Sequence, residues 1–507
     1  MMSDDDEIAT YIGPKGYTII KEYLDYKEIV RIKKELTVRP FVPKTALHKP
    51  PGFPIYRETK KKIYLPRFYG LENYDEPDAT YISAGTKIDV EFKGDLREYQ
   101  KPVVNKWLSA TREKGCGLIE ADCGAGKTCM AIYLIAKLGL KTLIIVHKDF
   151  LLRQWKERLE QFMPDAKIGR IQGPTIDIEG KDVVIGMLQS LSMKDYDSSL
   201  FLDFGFTIID ECHHISAEVF SRVLFKAVTK YMLGLSATMN RQDGLTRVFK
   251  MFLGNVEAKW KRGAQKNVVV KAIDYLTDDE DFSRNLLNYR GQPDYVRMIS
   301  KLCKFSPRTE FILSVVKDMW TENDKQQIMI IGHQKTQLIY IHDAIKHRGF
   351  ATVGYYMGGM KEQQLKITEG KNIIIATYKM AEEALDIKTL TTIVMATPKK
   401  DVRQAVGRIL RTSGEKLVID IIDQHHIFQR HWTQRRRWYN RQEFKILRTT
   451  SDKYRQQQIT SSSTHNQDIW TPEQSRSIGR KKRVIDTQPY TQSDNPIDKL
   501  LRGRCLT

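Results

Sequence analysis

From residue 86 to about 255 the chain repeats one rhythm, a short aliphatic run followed by a longer stretch with apolar residues at helical spacing. Gly117 to Glu120 precedes Lys127 to Leu138, and Thr142 to His147 precedes Phe150 to Phe162. Apolar strands alternating with amphipathic helices predict βαβ units and a parallel sheet. The rhythm lapses over 256–310, where the acidic cluster Asp278, Asp279, Glu280, Asp281 precedes Asn285 to Pro293, and this stretch reads as a linker or insertion. It returns over 311–445 with Gln327 to Gly332, Thr336 to His347, Asn372 to Thr377, Thr392 to Thr397 and Leu417 to Asp423, which predicts a second sheet domain. Residues 1–85 differ: rich in Pro, Tyr and Lys, with short alternations such as Lys62 to Pro66, they predict a small β-rich accessory unit. Residues 446–507 turn polar and read as a basic, weakly ordered tail that contains the knot Gly479 to Arg483.

Composition narrows the class. A chain of 507 residues has room for two or three domains, and 41% hydrophobic with 28% charged residues is a globular composition rather than a disordered or fibrous one. The longest aliphatic runs, Leu143 to Val146 and Ile373 to Ala376, fall far short of the roughly 20 residues a membrane helix needs, so no membrane span is expected. The acidic start, Asp4 to Glu7, is the reverse of a secretory signal. Six cysteines without a CxxC pair or a Cys and His set at ligand spacing predict free thiols in a reducing compartment. The formal charge of +20 points to a polyanionic partner, and His431 to Thr507 alone carries 16 Lys and Arg against 7 Asp and Glu. A solvated tail is the plainer reading of that last excess.

The candidate chemistry begins at Ala121, Asp122, Cys123, Gly124, Ala125, Gly126, Lys127, Thr128, between a predicted strand and a predicted helix. Glycines there let main-chain N–H groups turn onto phosphates, the helix N-terminus adds a favourable dipole, Lys127 reaches the β and γ oxygens, and Thr128 can ligate Mg²⁺. ATP and Mg²⁺ are the cofactors this loop implies. Such a loop needs a carboxylate for the metal and a base for the attacking water at the end of a neighbouring strand. Phe206 to Ile209 is that strand, and Asp210 and Glu211 follow it, assigned to Mg²⁺ and to the water respectively.

Asp210, Glu211, Cys212, His213 after such a loop, followed by Ser236, Ala237, Thr238, resemble motifs I, II and III of the superfamily 2 DExH helicases. Ala121 stands where the general pattern has its first Gly, a departure that superfamily 2 shares. The resemblance implies two tandem RecA-like α/β domains with parallel sheets, an ATP-driven motor acting on DNA or RNA, and further site residues. Leu96 to Gln100 resembles the adenine-recognising motif, with Gln100 as the base contact. Leu143 to Trp155 and Val184 to Ser190 resemble segments that touch the nucleic-acid backbone, which makes Lys148, Gln189 and Ser190 candidates there together with Ser236 and Thr238. Ile331 to His333 resembles motif IV, and Ala376, Thr377 with Glu383 to Asp386 resembles motif V, with Ala384 in place of the usual Gly. Gln404 to Arg411 resembles motif VI, whose Gln404 would help bind nucleotide and whose Arg408 and Arg411 would reach the γ-phosphate.

Leu233 to Gly244 is similar to the XPB-like and RecG-like branch, with Arg241 and Asp243 as a candidate duplex contact. Gly13 to Thr18, Glu35 to Pro43 and Tyr56 to Gly70 resemble the N-terminal region of transcript-release helicases of large cytoplasmic DNA viruses, of poxviral and asfarviral type. That lineage implies viral transcription machinery as a partner and the host cytoplasmic viral factory or the virion as location, with nuclear entry left open by the basic knot Arg480 to Arg483. An ATPase that remodels protein–nucleic acid complexes without strand separation is the alternative. In Phe428 to Leu447, Trp432, Trp438, Tyr439 and Phe444 interleave with Arg430, Arg435, Arg436, Arg437 and Arg441. They form either a base-stacking surface or, the preferred reading, the apolar face of a helix closing the second lobe.

Overall fold

The computed structural model describes residues 8–41, 50–74, 76–212, 217–237, 245–383, 387–410, 414–460 and 469–473. The first strands are β1 (Thr10–Gly13), β2 (Gly16–Ile20), β3 (Thr37–Val38), β4 (Phe53–Pro54), β5 (Arg57–Glu58), β6 (Lys62–Leu65) and β7 (Ala79–Thr80). They form a sheet of order β5-β6-β2-β1-β7 beside a short β3–β4 ribbon. Tyr17 faces Leu65 and Ile19 faces Ile63 across β2 and β6, and the inward side of that pleat is apolar. The helix Arg67–Asn73 then carries Phe68 onto Gly254 after the helix Thr246–Leu253 of the next domain. Ile12, Tyr17, Phe68 and Tyr69 thereby share one core with Phe249, Phe252 and Leu253.

The next sheet contains β8 (Cys116–Ala121), β9 (Thr142–Val146), β10 (Ile168–Gln172), β11 (Thr175–Asp177), β12 (Val183–Met187), β13 (Phe206–Ile209), β14 (Tyr231–Ser236) and β15 (Val256–Trp260). Its order is β11-β10-β12-β9-β13-β14-β8-β15, parallel except at β11. Strands covered on both faces must be apolar at every position: in β9, Leu143 and Ile145 enter one core and Ile144 and Val146 the other.

The last sheet has β16 (Val268–Tyr275), β17 (Ile328–Gly332), β18 (Val353–Tyr356), β19 (Ile373–Thr377), β20 (Thr392–Met395), β21 (Lys416–Asp423), β22 (Lys445–Thr450) and β23 (Thr471–Pro472). Its order is β18-β19-β17-β20-β21-β16-β22-β23, parallel except at β23. Alternate residues of β17 again feed two cores, Met329 and Ile331 on one side and Ile328 and Ile330 on the other.

Two expectations need correction. Residues 256–310 are not simply a linker: β15 closes the edge of the first sheet, β16 lies between β21 and β22 in the second, and the helix Tyr295–Lys304 sits in the second domain's core. Lys271 and Asp274 disguise β16 in the sequence, yet each has a local partner, Glu322 at 3.8 Å and Arg448 at 2.6 Å. Residues 446–507 are not all tail either, since β22 and the helix Ser451–Thr460 complete the second domain. The basic knot Arg480–Arg483 lies outside the described residues. No described helix is long and apolar enough to cross a membrane.

Candidate functional site

In both parallel sheets the C-terminal strand ends share one edge, so the loops that follow them converge. After β8 the chain turns through Asp122 to Gly126 into the helix Lys127–Leu138. Gly124 and Gly126 both have φ of +78°, and a Cβ on Gly126 would lie 2.3 Å from the Gln100 amide nitrogen, so a side chain there is excluded twice. The buried Ala121 ends β8, and its carbonyl accepts from the Lys127 ammonium at 3.2 Å. Gln100 is buried behind the loop, donating to the Ala125 carbonyl at 2.8 Å and accepting from the Arg97 N–H at 2.9 Å. Each end of its amide therefore already holds one main-chain group, with a second N–H and a second oxygen lone pair still to be satisfied. Thr128 and Gln100 line a cavity of about 530 Å³ together with Gly124, Gly126 and Lys127.

Across the cavity, Asp210 and Glu211 follow β13. Asp210 is buried, accepting from the Trp155 indole N–H at 2.8 Å and from the Glu211 N–H at 2.9 Å. Burial, reinforced by the Glu211 charge, pushes its pKa up to about 6 against the opposing pull of Trp155 and Lys127. Burial pulls the Lys127 pKa down, but Glu211, 3.5 Å from its Nζ, with Cys123 and Asp210 outweighs it, so the pKa is raised and the ammonium stays charged. Glu211 sits at φ 47°, a left-handed conformation costing on the order of 1 kcal/mol for a non-glycine residue.

The other wall comes from the second domain. Gln404 and Arg408, on the helix Arg403–Ile409, line the same cavity with Glu382 and Lys388. A Cβ on Gly407 would come within 3.1 Å of the Cys123 Cβ, so the absence of a side chain lets this helix lie directly on the phosphate loop. Arg408 donates through Nε to the Ala381 carbonyl at 3.2 Å and through a terminal nitrogen to that of Glu382. Arg411, Thr238, Arg241, Asp243 and Ala384 to Asp386 lie outside the described residues.

Of the candidate nucleic-acid contacts, Lys148 precedes the helix Asp149–Phe162 after β9, and Gln189 and Ser190 lie in the short helix Leu188–Met193 after β12: Gln189 donates to the His147 carbonyl at 3.0 Å, and the Ser190 hydroxyl accepts from the Gly173 N–H at 2.9 Å. Thr377 ends β19 in the second domain, where its hydroxyl accepts from the Met380 N–H at 3.4 Å. Ser236 is a correction, for it ends β14 between β13 and β8, is fully buried, and presents no surface to a nucleic acid here.

In the helix His426–Arg441, Phe428, Trp432 and Tyr439 are buried in the second domain's cores. Arg435 is buried in a two-bond pair with Asp420, both at 2.7 Å, and Arg436 pairs with Glu473 at 2.7 Å. The segment is the closing face of a domain, not a stacking platform. Trp155 was visible in the sequence only as the end of the segment Leu143 to Trp155, its helical spacing otherwise that of plain core, and Arg262 only as an arginine between Lys261 and Gly263 in an apparent linker.

Comparison with known proteins fits this geometry. The family model for the type III restriction enzyme res subunit matches residues 93–241. A candidate ATP-dependent RNA helicase of Acanthamoeba polyphaga mimivirus is 33% identical over 458 residues, 87% of each chain. One from African swine fever virus is 24% identical, covering 69% of this chain and 74% of its own. A DNA 3'-5' translocase of Sulfurisphaera tokodaii is 26% identical, covering 72% and 89%. Among solved structures, S. cerevisiae Dbp5 bound to RNA and ADP BeF3 superposes with a TM-score of 0.51 at 13% identity over 72% of this chain and 93% of that one. The fold is that of two tandem RecA-like domains.

Proposed function

We propose, because this chain belongs to the superfamily 2 helicases of large DNA viruses that its mimivirus relative represents, that it is a motor whose one ATP site is built from both lobes. It is an ATP-hydrolysing nucleic-acid helicase. The observation that carries the composite reading is the single cavity lined by Lys127, Thr128, Asp210 and Glu211 from one lobe and by Gln404 and Arg408 from the other.

In this reading the amides of the phosphate loop and Lys127 hold the ATP phosphates, and Glu211 orients the attacking water. Arg408 turns from the Glu382 carbonyl toward the γ-phosphate as charge develops there, and Arg411 is assigned to the same phosphate. The bound triphosphate draws the lobes together; its hydrolysis removes the bridge, and strands held near Lys148, Gln189, Ser190 and Thr377 are moved. The donors fit a magnesium ion: Thr128 and Asp210 offer hard oxygens, and a buried carboxyl held near 6 gains from a divalent counter-charge. Such an ion, when bound, would neutralise charge on the β and γ oxygens.

The resemblance of Gly13 to Thr18, Glu35 to Pro43 and Tyr56 to Gly70 to transcript-release helicases supports a place in viral transcription, with the viral transcription machinery as partner and the host cytoplasm as the site of action; the mimivirus and African swine fever virus relatives are named only as ATP-dependent RNA helicases. The relatives are named both for RNA and for DNA, so the test uses both. DNA, RNA and hybrid duplexes with single-stranded tails are assayed for ATP-dependent displacement beside ATP turnover. Stimulated turnover with displacement of at least one substrate is expected. Stimulated turnover without any displacement would transfer the function to remodelling of protein–nucleic acid complexes, and absence of stimulation would sink both readings.

A further inference from the structure

Only residues 261–267 join the two RecA-like sheets, and Arg262 lies among them. Its main-chain N–H donates to the Asp122 carboxylate at 2.7 Å. One terminal guanidinium nitrogen donates to the Cys123 carbonyl at 3.3 Å and the other to the Leu410 carbonyl. Asp122 and Cys123 are phosphate-loop residues of the first lobe, whereas Leu410 ends the arginine-bearing helix Arg403–Ile409 of the second. The chain that presents Arg262 is fixed to the first lobe: the Trp260 ring stacks on Tyr99 at 4.5 Å, and its carbonyl accepts from the Asp122 N–H at 3.4 Å. Of the guanidinium bonds, the one to Leu410 is the bond that parting lobes must break. That carbonyl lies at a helix C-terminus, where a cation is favoured by the dipole.

We propose that Arg262 is a latch carried by the linker, a positioning residue that seats the C-terminal end of the second lobe's arginine helix on the phosphate loop as the lobes close and releases it as they part. This rests on the composite-site reading above. Arg262 is not among the residues lining the nucleotide cavity, so it acts through Leu410, whose next residue is Arg411. A displacement of about 1 Å in such a group can cost about 100-fold in rate. Two features make the seat tight: Gly407 packs on Cys123 from the helix side, and Arg262 holds the Cys123 carbonyl from the linker side.

The test compares Arg262→Ala and Arg262→Lys with the unmodified full chain. The kcat of nucleic-acid-stimulated ATP hydrolysis should fall about 100-fold in Arg262→Ala while KM for ATP moves less than about threefold. Arg262→Lys should fall between, since an ammonium lacks the fork that spans two carbonyls. A second readout is the rate of Cys123 alkylation by iodoacetamide in nucleotide-free protein, followed by peptide mass spectrometry. It should rise about fivefold in Arg262→Ala, because the cover supplied by Gly407 is no longer latched. The buried Cys116 serves as internal reference and should not change. Unchanged kcat with unchanged Cys123 alkylation would overturn the latch, as would a parallel rise in Cys116 alkylation, which reports general unfolding. If the unmodified chain hydrolyses no ATP, the function reading fails, and the alkylation comparison decides the latch alone.

Discussion

Asp210 is buried between an indole that stabilises its charge and a glutamate that opposes it, so its protonation falls within reach of ordinary assays. Its carboxyl gains a proton as pH drops through about 6, and a protonated carboxyl cannot hold a metal ion. ATPase kcat/KM is therefore expected to be full above that value and to decline on the acid side. Trp155 lowers this pKa through its hydrogen bond, so Trp155→Phe should move the acid limb upward by about one unit. A pH profile that does not shift, or shifts downward, would contradict the assignment. The phosphate loop and its two carboxylates were legible in the sequence because their chemistry demands particular residues in a fixed order after strands. Trp155 and Arg262 were not, since their partners lie 55 residues and more than 130 residues away in the chain, a distance that only folding closes. Gln100 was placed beside the loop, but its bonds to Ala125 and Arg97 were not foreseen, because a sequence does not say which main-chain groups a side-chain amide meets.

Strands buried on both faces announce themselves by unbroken aliphatic runs, which is why β9, β13, β17 and β19 were foreseen. The strand β16 was hidden because Lys271 and Asp274 interrupt its run, although each meets an opposite charge in the fold, Glu322 and Arg448. The helix His426–Arg441 left two readings open, and its packing decides between them. Arg435→Ala would leave Asp420 buried without its cation, a loss of about 3–5 kcal/mol for a pair of this kind. Chemical denaturation should register that loss, while nucleic-acid affinity per folded molecule stays level. A large drop in affinity without loss of stability would instead return the segment to the stacking role.

The N-terminal unit is not a detachable module, for its apolar residues complete the core of the first lobe. Removing residues 1–85 would uncover Phe249, Phe252 and Leu253 and forfeit Phe68 and Tyr69, at about 1.5–3 kcal/mol for each large apolar side chain left exposed. A truncated chain should therefore melt well below the full one or fail to stay soluble, and equal melting temperatures would contradict a shared core. The two sheets meet at one cavity, and the molecule can work as a motor only if that cavity is a single ATP site. The most direct measurement is nucleic-acid-stimulated ATP turnover in the full chain, in Lys127→Ala and in Arg408→Ala, with nucleic-acid binding followed in parallel. Lys127→Ala should abolish turnover with binding largely retained, and Arg408→Ala should lower kcat by about 10³-fold with a much smaller change in ATP affinity. Undiminished turnover in Lys127→Ala, or an Arg408→Ala effect confined to ATP binding, would rule out a composite ATP site.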